Sequence, residues 1–173
     1  MRKTDSGPEN LREDNVSDQS LLELFDQVRE KTLEVLDGVT ESQAAWKPPG
    51  LRNSILWHAA HCCVVAESLI QRALDQDAEL PQGWFDMFSW KACPSNIPPD
   101  RWPTLEDVVG ELQSQRPRLR RVLAGLTEEQ LTAAVPRKPQ RSVRNLIIHA
   151  LHDEACHAGE IWLLRKIQQA DPS

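Results

Sequence analysis

The sequence predicts an all-α protein: a four-helix bundle, built as two similar helical hairpins joined by a long crossover loop. Three observations predict it. Apolar residues recur in alternating steps of four and three, which is the period of a helix. No segment alternates with period two for long enough to make a strand. Two short stretches also recur in order, at nearly one offset. "VLDGVTESQ" (35–43) returns as "VLAGLTEEQ" (122–130), and "RNSILWHAAH" (52–61) returns loosely as "RNLIIHALH" (144–152), setting His58 over His149.

Residues 1–17 are polar, charged and without period, and read as a flexible lead-in to a single domain over 18–169. The first helix carries Leu21, Phe25, Val28, Thr32 and Val35 on one face, with Gly38 as its stop. "WKPPG" (46–50) breaks the chain, and Asn53 or Ser54 can cap a second helix that runs to about Leu74. Residues 77–103 hold five prolines and three tryptophans. A link of that length can cross the end of a bundle and can cover a site. "TLED" after Pro103 resembles a capping box and opens the third helix, which Gly125 ends. "PRKPQ" breaks the chain again, and Ser142 can cap the fourth helix, running to about Gln169.

Composition narrows the partners. A formal net charge of -6 and the lack of a basic run interleaved with aromatics argue against nucleic acid. No apolar run approaches the ~20 residues of a spanning helix, so no membrane is expected. The four cysteines lack scaffold or C-x-x-C spacing, which fits reduced thiols in a cytoplasmic protein.

The segment "HALHDEACHAGEI" (149–161) stands apart. It holds three of the five histidines, beside acids, within a stretch that otherwise reads as a buried helix. With His149 set at 0° on a helical wheel, the apolar face centres near ~100°, His157 falls at ~80°, Asp153 at ~40° and Glu154 at ~140°, all facing inward. His149 lies at the edge with Glu160 nearby, and His152 points away. The same construction on the second helix puts His58 at the edge of the buried face and turns His61 outward. A buried carboxylate needs a partner, and Asp153 and His157 project from successive turns. A divalent cation shared with His58 supplies that partner. Two His and one carboxylate, with coordination positions left open, suit Zn, Ni or Fe rather than Ca or Mg. His149 and Glu160 are candidates to orient a ligand from behind. Cys62 and Cys156 lie nearby, but a small hydrophobe is the commoner role for Cys. Gly159 would be explained by a close approach of a helix or ligand beside His157.

"NSILWHAAH", the Pro-rich break and "DEACHAGEIWLLRK" together resemble the DinB-like family of four-helix-bundle metalloenzymes, over about residues 18–168. The resemblance implies that Trp57–His58 supplies one metal ligand and that the last helix supplies two, four residues apart, falling on Asp153 and His157. The commoner family pattern has His at the earlier position. Members resembling mycothiol-dependent isomerases carry a carboxylate there, and His152 or Glu154 are the alternatives to Asp153. The family further implies a divalent metal, frequent homodimers and, in some members, transferase or isomerase chemistry on a small-molecule substrate with a low-molecular-weight thiol. A metal-dependent hydrolase, and a stress-response bundle that binds metal without turnover, are the rival functions.

Overall fold

The structure, a computed structural model, describes residues 18–94 and 97–170; the lead-in read over 1–17 lies outside the described residues. Four long helices make the bundle: α1 (Gln19–Leu36), α3 (Ile55–Ala73), α5 (Leu105–Ala124) and α7 (Val143–Ala170). Between them lie one-turn helices α2 (Glu41–Ala45), α4 (Trp84–Phe88) and α6 (Glu128–Thr132), with a 3-10 turn over Pro99–Arg101. Each of α1 and α3 packs against both α5 and α7.

The helix ends follow from local chemistry. Asp18 accepts the Leu21 amide at 3.1 Å and opens α1, and Gly38, at φ +69°, turns the chain beyond its end. Ser54 accepts the Trp57 amide and opens α3, and Ser142 does the same for α7 through Asn145. Thr104 and Asp107 form the capping box expected before α5. The recurring stretches of sequence become one device used twice. Thr40 with Gln43 and Thr127 with Gln130 close capping boxes on α2 and α6, each between two long helices.

One expectation needs correcting: a short antiparallel hairpin, β1 (Ala134–Val135) with β2 (Lys138–Ser142), precedes α7. Its strands are too short and its burial too irregular to show a period of two, and Pro139 is tolerated because a two-stranded ribbon is all edge.

The apolar core divides into two clusters, one around Ile55, Phe88 and Ile161 and the other around Phe25, Ile70 and Leu146. A buried polar layer separates them. Arg29 donates to both Glu154 carboxylate oxygens at 2.7 and 3.0 Å, to the Leu112 carbonyl at 2.8 Å and to Gln115 Oε1 at 2.8 Å. Gln115 in turn donates to the Cys63 carbonyl and to Glu67, which also receives Arg118 at 2.7 Å. All four long helices contribute, and each buried charge has its counter-charge.

Candidate metal centre

α3 and α7 face each other and bring together His58, His61, Asp153, His157 and Glu160. His61 is the best-defined of them. Its Nδ1 lies 2.5 Å from the Phe88 carbonyl oxygen at the end of α4, and a carbonyl only accepts, so Nδ1 carries the proton. In the neutral ring Nε2 is left with its lone pair, 3.4 Å from Asp153 Oδ2; in the imidazolium it is a donor to that oxygen. That oxygen is buried and has no hydrogen-bond partner among the described residues. His157 Nε2 stands 3.8 Å from the same oxygen. The Nδ1 of His157 binds Glu160, also an acceptor only, so its Nε2 too presents a lone pair.

With both imidazoles neutral, three lone-pair atoms converge with no donor between them. A single proton bridges two such atoms, whereas a divalent cation serves all three, so the donor set fits a metal. The protons that orient the two imidazoles are held from behind, by Phe88 and Glu160, as is usual for metal-binding histidines. The side chains of Asp153 and His157 remain 29% and 17% exposed, so the group opens to solvent.

A second group of ligand atoms shares His157: His58 Nδ1, His157 Nδ1 and Glu160 Oε2. His58 Nδ1 lies 2.9 Å from His157 Nδ1 and 3.0 Å from Glu160. With the His58 Nδ1 lone pair as acceptor, the His157 Nδ1 proton can be shared between it and Glu160, so this group holds together without a cation.

Burial, reinforced by the neighbouring His157 and His61 imidazoles, pushes His58 down to about 3, so it adds no positive charge. For Asp153, burial works to raise the pKa. A hydrogen bond from His61 and, whenever they are protonated, the charges of His157, His61 and His149 outweigh it and hold the carboxyl below its ordinary range. Trp57 walls the group, stacked on His61 with ring centroids 4.5 Å apart.

A family model, the DinB superfamily, matches residues 24–161. The chain belongs to the DinB superfamily. Two solved structures share its fold. A conserved protein from Enterococcus faecalis aligns at a TM-score of 0.72 and 18% identity, over 88% of this chain and 97% of that one. A protein from Streptococcus pneumoniae aligns at 0.60 and 12% identity, over 88% and 91%. The comparison with curated proteins gave no match.

In this DinB-superfamily chain the residues singled out from the sequence divide between the two groups. Asp153 meets His157, and His58 meets His157, but neither group joins His58 to Asp153. The α3 imidazole facing Asp153 is His61, which the helical wheel turned toward solvent. The structure buries it because α4 lies across that side of α3. Glu160 orients His157, while His149 is exposed and reaches Asp153 only through its charge. His152 is also exposed, beside Cys156, and Glu154 is committed to Arg29. Cys62 and Cys63 are buried in the core, where burial pushes the Cys63 thiol up to about 12 and the Cys62 thiol well above its usual value. No other helix makes the close approach expected at Gly159: beyond its own helix backbone and chain neighbours, a Cβ would meet no atom within 4 Å among the described residues. No helix among them is long and apolar enough to cross a membrane.

Proposed function

We propose that this chain is a divalent-metal-dependent enzyme that adds a thiol, or water, to a small electrophile, with His61, Asp153 and His157 as the metal ligands. The observation that carries the reading is the buried Asp153 oxygen, unpartnered between two imidazole lone pairs. A divalent cation there supplies the Lewis acidity that makes a thiol or water nucleophilic at neutral pH. The chain's own groups do the positioning. Phe88 and Glu160 hold the two imidazoles in the tautomer that faces inward, and Trp57 excludes water from one face of His61.

Metal analysis of protein purified without a histidine tag tests the site. Wild type should carry close to one equivalent per chain, and His61→Ala, Asp153→Ala and His157→Ala should each lose most of it. Retention by all three would place the metal elsewhere. An assay of electrophiles with different cellular thiols tests the chemistry. Turnover that needs no thiol would make the protein a hydrolase. Tightly held metal with no exchangeable position would make it a binding protein.

A further inference from the structure

α7 is apolar on two faces. One enters the core through Leu146, Ile147, Ala150, Ile161 and Leu164. The other looks outward and carries Ile148, Ala155, Gly159 and Trp162, whose steps of seven, four and three keep them on one side of the helix. Ile148 is 43% exposed and Trp162 50%, with Leu163 at 53% beside it. α1 extends this face: Leu24, 40% exposed, and Val28 line one groove with Ala155, Ala158, Gly159 and Trp162. An apolar side chain exposed singly is ordinary, but four along one strip mark an interaction surface. None of them is among the residues of the metal centre.

The strip fits a second copy of itself. Gly159 sits in mid-helix, where it costs ~1 kcal/mol relative to Ala. No contact from another element among the described residues accounts for it. A backbone approaching from outside the chain would. Trp162 lies about one turn after Gly159, and Ala155 about one turn before it. Two α7 helices crossing antiparallel about a two-fold axis at Gly159 therefore set each Trp162 against the other's Ala155, a large ring on a small residue twice over. Lys166 lies 5.1 Å over the Trp162 ring, which is still half exposed. Lys31 is the one charged side chain lining the groove among the described residues, and Glu34 meets it at 3.0 Å, so little charge is desolvated at the centre. The four large side chains leave roughly 400 Å² exposed. At the ~65% apolar share of a homodimer interface that corresponds to about 1,200 Å² buried in all, the lower bound for a specific and stable contact.

We infer that this face of α1 and α7 seats a second copy of the chain, in a two-fold dimer whose α7 helices cross antiparallel at Gly159. Sedimentation velocity of the full chain over a dilution series tests it. Wild type should run at twice the mass of one chain and fall to a single chain on dilution, as an interface of that size implies. Trp162→Glu should raise the dissociation constant by more than about a hundredfold, since a symmetric dimer carries the change twice. Its position is half exposed, so the helical circular dichroism should match wild type. Gly159→Leu should also weaken the dimer while keeping that helical signal, because Leu favours a helix over Gly. Leu51→Glu alters an equally exposed apolar residue ahead of α3, outside this face, and should dimerise as wild type does. A chain that stays single at every concentration, or a Trp162→Glu variant that pairs as tightly as wild type, would overturn the inference. So would loss of the dimer in Leu51→Glu, which would put the contact on another face.

Discussion

The Phe88 carbonyl oxygen lies 2.5 Å from His61 Nδ1, so a one-turn helix in the long connection decides which nitrogen of His61 faces Asp153. The bundle brings α3 and α7 together, but α4 sets the imidazole. The site therefore depends on a segment outside the four long helices.

That relationship separates the two α3 histidines. His61→Ala removes a proposed ligand and should lower metal affinity by more than about a hundredfold, whereas His58→Ala removes only a contact to Glu160 and His157 and should cost about tenfold or less. Competition against a chromophoric chelator measures both. The reverse ranking would move the metal to the group formed by His58, His157 and Glu160.

Glu160 acts through His157. Glu160→Ala frees the imidazole to rotate or change tautomer and should reduce metal affinity by about 10–100-fold. At saturating metal the variant should still fill to the wild-type stoichiometry, because the three atoms around Asp153 Oδ2 remain. Asp153→Ala should not fill at any accessible concentration. Identical behaviour of the two variants would make Glu160 a ligand rather than a support.

Much of this architecture is written in local signals. The capping residues Ser54, Thr104 and Ser142 mark the starts of three long helices because a helix start is a short-range event that a single side chain satisfies. The repeated T-x-x-Q boxes mark the two half-bundles for the same reason. Asp153 and His157 are legible because both lie on one helix, where spacing sets direction. His61 is not, since its burial depends on α4, about two dozen residues away along the chain. The proline- and tryptophan-rich connection was the one signal, as a segment able to cover a site. Glu154 shows the opposite limit. Its inward angle is right, but its partner Arg29 is 125 positions away in sequence, and nothing local announces that pairing.

Asp26 should contribute to acid sensitivity. Burial works to raise its pKa, but Arg120 at 2.8 Å and Arg116 at 3.3 Å prevail and hold the carboxyl below its ordinary range. A carboxyl whose pKa is lowered by folding stabilises the protein above its unfolded pKa, and the contribution drains away as pH falls through the folded value. The loss should therefore begin near pH ~4 and continue downward. Asp26→Asn should be less stable than wild type at pH 7, by under about 1 kcal/mol per lost pair, since both arginines are partly exposed. The two stability curves, from urea unfolding at successive pH values, should converge in acid. Parallel curves would mean that the pairs contribute nothing.

Arg29 and Glu154 should show the largest stability effect outside the apolar core. Both are essentially unexposed, and their pairing joins α1 to α7 between the two halves of the core. Glu154→Leu leaves a buried guanidinium without its counter-charge and should cost about 3–5 kcal/mol in urea unfolding. Adding Arg29→Met removes that charge, so the double variant should recover part of the loss. Recovery should stop short of wild type, because the Leu112 carbonyl and Gln115 Oε1 both lose the donor that Arg29 gave them, and an unsatisfied buried acceptor costs about 1–3 kcal/mol. Full recovery would show that water or a shift of α5 satisfies those acceptors. A double variant no better than Glu154→Leu would show that the layer holds the helices through its whole hydrogen-bond pattern and not through one ion pair.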